Sequence, residues 1–448
     1  LNLGLRYEYA TPFFSPNNEI AMFDMNQQKL LVAGKDGVSQ YIVEPDKNNW
    51  APRVGLAYKL NQKTTLRTGF GILYDPENAK RDDIKFNPPF YRQYSTWLTW
   101  NFWSPAPPAF TDPGSFPKGY DIHNVDRQLR TGYSEQYSLA VQRELPRGFL
   151  FEAAYVGSQA HKLPFVVNYN QNRPGGIAKP FPDLGTINTV TNVGNMSYHS
   201  GQFKLERRFA SGLYLLTSYT WSKSIDNVSS AAFDAAITAG VQNIFDPRQN
   251  RAVSDWDVPH RIAASYVYDL PFGTGKRFLN SAHPAVKGLL GDWQITGISV
   301  ASSGVPGTVF VGSGIPGGDA RPNVLRDPNL PSSQRSPDHW FDTTAFVVNH
   351  DASGDLPGNA GRNIIRGPRY VNFDMGALKS FTLTERLRLH FRTEVFNLSN
   401  TPHFALPTRK MSDPSFGRIT HTRNSTNFGS TATSFASRMI QFSLKLEF

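Results

Sequence analysis

The chain has 448 residues, 39% of them hydrophobic, a formal net charge of +10 and no cysteine. The missing thiols exclude disulfide frameworks and cysteine metal sites and are compatible with passage through an oxidising periplasm; no apolar run reaches the roughly 18 residues of a membrane-spanning helix. A mean hydropathy of -0.40 resembles that of a soluble protein, but a membrane barrel needs only every second residue of each short strand to be apolar, so the average does not exclude one.

Aromatic residues make up 13% of the chain, with 36 Gly and 32 Pro, which suits a sheet with wide loops and aromatic belts. The positive balance favours anionic lipopolysaccharide or acidic ligands. Nucleic acid is not an expected partner, because no basic run or binding motif of a recognised type occurs.

Twelve segments alternate apolar and polar side chains with the period of two that strands impose. The first, 1–9, turns Leu1, Leu3, Leu5, Tyr7 and Tyr9 one way and Asn2, Gly4, Arg6 and Glu8 the other. Neither an initiating Met nor a signal peptide precedes Leu1, so the chain reads as a fragment. The second, 53–60, sets Val54, Leu56, Tyr58 and Leu60 against Arg53, Gly55, Ala57 and Lys59. Asn61-Gln62-Lys63 turns it into the third, 64–74, where Leu66, Phe70, Ile72 and Tyr74 oppose Arg67, Gly69 and Gly71. In the loop that follows, Tyr91, Tyr94, Trp97, Trp100 and Trp103 recur every third residue. Such a ladder could stack on sugar rings or a hydrophobic ligand; the alternative, which the pattern favours, is the internal core of a loop or of a sheet extension above the membrane.

The fourth and fifth strands, 135–144 and 149–157, flank Leu145-Pro146-Arg147-Gly148, and the sixth and seventh, 200–209 and 213–222, flank Ala210-Ser211-Gly212. Asp255, Asp257 and His260 are close enough for a metal site, but no Gly supplies the turn of a calcium loop, and a structural cluster at the rim is the better reading. The eighth strand, 260–270, turns Ile262, Ala264, Tyr266, Tyr268 and Leu270 outward, and a Gly-rich turn leads to the ninth, 292–301. In that turn Gly273-Thr274-Gly275-Lys276 lacks the first Gly and the Ser or Thr of a phosphate-binding loop, so it reads as a turn. The tenth and eleventh, 370–381 and 386–396, flank Thr382-Leu383-Thr384-Glu385. In the last, Ile440, Phe442, Leu444, Leu446 and Phe448 share a face opposite Met439, Gln441, Ser443, Lys445 and Glu447.

Links alternate between about three or four residues, somewhat more between the eighth and ninth strands, and roughly 35 to 70 residues. Short turns at one rim and long loops at the other are the layout of a transmembrane barrel. Aromatics fall near both rims: Tyr7, Tyr9, Tyr74, Tyr155, Tyr219 and Trp221 at one, Tyr58, Phe149, Phe209, Tyr266, Tyr268, Trp293, Phe381 and Phe448 at the other. The opposite face collects charge, including Arg6, Arg67, Glu152, Glu206, Arg261, Arg388, Arg392 and Glu394, which a hydrated lumen accommodates and a dry core does not. The expected fold is therefore all-β, an antiparallel up-and-down transmembrane β-barrel with about 12 strands visible. Neither a Gly-x-Ser-x-Gly elbow nor a His-Glu-x-x-His motif occurs; no catalysis, cofactor or metal is expected.

Asn49-Trp50-Ala51-Pro52-Arg53-Val54-Gly55-Leu56, Glu152-Ala153-Ala154-Tyr155-Val156-Gly157-Ser158, Ser218-Tyr219-Thr220-Trp221-Ser222-Lys223-Ser224, Pro259-His260-Arg261, Phe396-Asn397-Leu398-Ser399-Asn400 and the last strand follow one another along nearly the whole chain. In order and spacing they resemble the barrel of a TonB-dependent outer-membrane receptor, most closely its Oar-like branch. The resemblance implies a Gram-negative outer-membrane location and a parent barrel of about 22 strands filled by a plug, of which residues 1–448 form a portion. It implies outer-membrane lipid and lipopolysaccharide as surroundings, TonB as a partner through a region not in this chain, and barrel assembly machinery that reads Phe442, Leu444, Leu446 and Phe448. The solute stays open. The alternatives are a surface barrel that adheres without transporting, and a soluble carbohydrate-binding β-protein.

Overall fold

The computed structural model describes residues 1–35, 37–75, 84, 87–88, 90, 119–171, 177–229, 241–312, 320–351, 354–355, 357–384, 386–423 and 437–448. Twelve long strands carry the fold: β1 (Asn2–Glu8), β2 (Asn49–Asn61), β3 (Thr64–Asp75), β4 (Gly132–Leu145), β5 (Phe149–Asn168), β6 (Leu184–Ala210), β7 (Leu213–Asp226), β8 (His260–Asp269), β9 (Trp293–Ser302), β10 (Tyr370–Thr382), β11 (Arg388–Phe396) and β12 (Met439–Glu447). Each pairs antiparallel with the next in chain order, so the predicted strands all form and the meander is unbroken. Among the described residues β1 pairs only with β2 and β12 only with β11.

The short turns all lie along one rim. Between β6 and β7, Ser211 and Gly212 both take positive φ, 51° and 76°, as the two-residue turn that matches strand twist requires. Glu447 pairs with Arg388, which brings the end of β12 to the same rim. The link from β8 to β9, read from sequence as a plain turn, also holds the helix α1 (Pro284–Leu290).

The largest departure from expectation is in β5 and β6, which run for 20 and 27 residues. About 9–11 residues cross a bilayer, so their outer halves continue beyond it, paired from Phe165↔Thr191 to Asn168↔Asn188. There Phe165, Val166, Val167, Ile187, Thr189, Val190 and Thr191 are all buried. Because both faces are covered, the alternation that marks a half-wetted strand disappears, and the link expected to span 158–199 shrinks to 169–183.

The hydrophobic core sits in this outer layer and not in the wall. A hairpin of Ala21–Asp24 with Lys29–Val32, the strand Tyr120–Val125 laid parallel on the extension of β6, and the tops of β5 and β6 enclose Ile20, Met22, Leu31, Ile42, Ile84, Val125, Val166 and Val190. A second cluster gathers Val309, Phe341, Phe346 and Ile365 from the loop between β9 and β10. At about 1.5–3 kcal/mol per buried aliphatic or aromatic side chain, such clusters hold the described parts of the long loops together.

Candidate functional site

Residues opposite one another across an antiparallel ladder share a face. Leu3 lies opposite Val54, Val54 opposite Phe70, Leu66 opposite Val141, and Leu139 opposite Tyr155. Ala153 lies opposite Phe203, Phe203 opposite Tyr219, Tyr219 opposite Ile262, and Ile262 opposite Ala301. Ala301 then meets Val371, Met375 meets Val395, and Val395 meets Ile440. One apolar face thus continues from β1 to β12 without a flip. Phe442 and Leu444 are each 69% exposed on it, far more grease than a soluble surface carries in one contiguous band.

Two glycines on that face are close-approach sites. A Cβ on Gly157 would lie 2.2 Å from Tyr137 Cε2, and one on Gly297 would lie 2.5 Å from Tyr266 Cζ. Each tyrosine ring occupies the space that a side chain at the glycine would need.

Aromatic belts border the face. At the long-loop rim Tyr7 packs on Trp50 with centroids 4.7 Å apart, the Tyr155 and Tyr219 hydroxyls pair with Nδ1 of His199 and His260 at 2.7 and 2.8 Å, and Trp221 and Trp256 are exposed. At the turn rim Trp293 meets Phe391 edge-on. Sequence reading missed the charges on this face. Arg207 lies over the Phe149 ring and Lys379 over those of Trp293 and Phe381; long stems cover apolar surface while the charged ends stay at the rim. Trp50 was also missed, because the alternation of β2 was read only from Arg53.

The register puts Arg6, Arg67, Glu152, Glu206, Arg261, Arg388, Arg392 and Glu394 together on the other face. Base and acid alternate two residues apart within single strands: Arg6 with Glu8 at 3.0 Å, Lys204 with Glu206 at 2.9 Å, and Arg392 with Glu394. Glu152 stands opposite Lys204 and Arg388 opposite Glu447. His390 Nε2 lies 2.7 Å from Glu447, and Asp374 accepts from the Asn397 N–H and the Asn372 amide at 2.8 and 3.0 Å. Pairs open to water contribute about 0–1 kcal/mol each, so these pairs balance the charge of the face without adding much stability. Its mixed signs create no single-sign field.

Above the wall, the loop between β9 and β10 is bolted to the end of β7 and to the link after it by ion pairs on buried carboxylates. Arg366 binds Asp257 at 2.7 Å, Asp257 being fully buried, and Arg362 binds Asp226. The Asp257 carboxylate also accepts the Ser224 N–H at 2.8 Å, and Asp255 accepts from Asn363 at 2.6 Å. Asp255, Asp257 and His260 are therefore structural, engaged with Asn363, Arg366 and Tyr219; among the described residues no group of three acids or histidines is placed to hold a metal. Arg321 donates to the Ala360 carbonyl, Asn250 Oδ1 and the Gln249 carbonyl at 2.9, 3.0 and 3.1 Å. Burial first, and Arg362 second, pull its guanidinium down to about 10. None of these arginines stood out in the sequence, because their partners lie about 70 to 140 residues away. Tyr91, Tyr94, Trp97, Trp100 and Trp103 lie outside the described residues.

A continuous meander with a lipid-compatible face, a charged face, aromatic belts and rims of unequal loop length defines a membrane β-barrel wall. The family model described as an outer membrane beta barrel domain matches residues 1–441, so the chain belongs to that family and is a protein of the outer membrane. No curated protein matches it. Solved structures similar to it include the outer membrane transporter YddB from Escherichia coli, at 10% identity and a TM-score of 0.45 over 91% of this chain and 41% of that one. The siderophore receptor PiuA from Acinetobacter baumannii matches at 10% identity and 0.42, over 93% and 38%. The ferric enterobactin receptor of Pseudomonas aeruginosa matches at 12% identity and 0.43, over 91% and 41%. The chain spans about two fifths of the length of these proteins.

Proposed function

We propose that this chain is part of the barrel of a TonB-dependent importer of the Oar-like branch, a barrel of about 22 strands that moves a solute across the outer membrane. The observation that carries the reading is one unbroken apolar face backed by one charge-bearing face along twelve consecutive strands. In this reading Arg6, Arg67, Glu152, Glu206, Arg261, Arg388, Arg392 and Glu394 line the lumen and contact plug or solute, and the folded loop layer captures the solute outside. Tyr91, Tyr94, Trp97, Trp100 and Trp103 are the ring ladder assigned to solute contact in this reading, since aromatic faces stack on sugar or apolar surfaces. Phe442, Leu444, Leu446 and Phe448 are the strand read by the barrel assembly machinery, and TonB acts through a part of the protein outside this chain. No catalytic step is assigned.

A second reading, a surface barrel that holds partners without transport, is favoured by the size of the folded loop layer. Uptake of radiolabelled ferric siderophores, oligosaccharides, peptides and vitamins by cells with and without the gene separates the two. Import of one solute, lost on gene deletion and on collapse of the proton gradient, supports the importer. Surface binding that survives the uncoupler with no import contradicts it.

A further inference from the structure

The one α-helix among the described residues lies in the link between β8 and β9, at the turn rim, and two side chains of the apolar face hold its end. Trp293 and Lys379 stand opposite each other on β9 and β10. The Trp293 indole N–H donates to the Leu289 carbonyl at 3.0 Å, and the Lys379 ammonium donates to the same carbonyl at 3.3 Å and to that of Gly291. Lys379 is 4% exposed, and its ammonium lies 5.5 and 5.2 Å from the Trp293 and Phe381 ring centroids. A cation at a helix C-terminus is well placed for the helix dipole. The helix is thereby tied beneath the lipid-facing side of the wall and not beneath the charged side.

Its free surface is apolar. Val286, Leu289 and Leu290, at positions i, i+3 and i+4, share one helix face and are 39%, 67% and 53% exposed. The same link exposes Phe272 and Phe278, whose rings lie 5.6 Å apart, and carries Lys276, Arg277 and Lys287 against the single acid Asp292. Apolar residues on one side with cations beside them are the makeup of a helix that lies in a bilayer interface.

We infer that residues 270–292 form an interfacial foot that docks on anionic phospholipid of the turn-side leaflet. Val286, Leu289 and Leu290 enter the headgroup–acyl boundary, and Lys276, Arg277 and Lys287 face the phosphates. Continuity selects this occupant, because the helix hangs from side chains that belong to the lipid-facing band. The inference rests on the reading of that band as lipid-exposed.

The chain has no cysteine, so a nitroxide on Leu289→Cys reports one place. The protein is reconstituted in phosphatidylcholine bilayers with and without phosphatidylglycerol, and collisions of the label with oxygen and with a water-soluble nickel chelate are measured. Labels on Leu444→Cys and Lys445→Cys serve as lipid-facing and water-facing references. The expected result is a several-fold higher oxygen-to-nickel ratio at 289 than at 445, rising with phosphatidylglycerol and losing that rise when Lys276, Arg277 and Lys287 are all changed to Gln. A ratio at 289 equal to that at 445, with 444 still lipid-like, overturns the foot alone. So does a label at 289 shielded from both reagents, which marks a protein partner or a second copy. A ratio indifferent to phosphatidylglycerol overturns the phosphate contact. Nickel access at 444 overturns the lipid-facing band itself.

Discussion

Asp257 is the residue on which the outer layer leans most heavily. Its side chain is 0% exposed and its charge is met by Arg366, so Arg366→Ala strands a buried carboxylate. Breaking one side of such a pair costs about 3–5 kcal/mol. Limited proteolysis should cut within residues 303–369 while the wall keeps its heat-modifiable migration on gels. Acid acts at other sites. The Asn329 backbone N–H first, and its side-chain amide second, hold Asp327 below the usual carboxylate range; the Thr344 hydroxyl, and after it Arg326, do the same for Asp342. A carboxyl depressed in the folded state stabilises above its unfolded value, near 3.9, and loses that contribution as pH falls through the folded value. The protection factors of residues 323–346, exchange rates corrected for the intrinsic rate at each pH, should therefore fall below about pH 4 and stay level between about pH 5 and 8. Gly297→Ala tests the close approach to Tyr266: a Cβ with no room costs about 1–3 kcal/mol, read as a lower urea midpoint of barrel unfolding.

Each strand tells its two faces apart by chemistry. On β12, Leu444→Arg should cost about 2–4 kcal/mol near the bilayer midplane, and the adjacent Ser443→Arg close to nothing, as measured by folding titrations into lipid vesicles. That difference of one residue made the wall legible from sequence: alternation located all twelve strands, and the observed register carries one alternating face from Leu3 to Leu446. Legibility stopped where the physics changed. Above the membrane β5 and β6 are covered on both sides, so Phe165-Val166-Val167 no longer alternates with polar residues. The parallel addition of Tyr120–Val125 to β6 arises from packing between distant segments, which no local pattern announces. Lys379 was hidden for another reason: a cation on an apolar face contradicts alternation, and only the helix carbonyls it binds explain it. In the outer layer Ile187→Ala should cost about 2–5 kcal/mol by leaving a cavity. Exchange should rise through 120–125 and 184–191 while the membrane part of β6 stays protected.

At the scale of the molecule, a wall without a core of its own carries a cored layer on one rim. The wall holds its apolar side chains on a face that suits lipid; the layer is stable because it buries Ile20, Ile122, Ile187 and their neighbours as a soluble domain does. Everything rests on lipid touching alternate side chains. The most direct test places bimane on single cysteines along β11, at Leu389, Phe391 and Thr393 and at His390, Arg392 and Glu394, with the protein in bilayers containing brominated phospholipid. Strong quenching at 389, 391 and 393 with little at 390, 392 and 394 is the predicted result. Quenching without a period of two, or none at either set, would contradict the account.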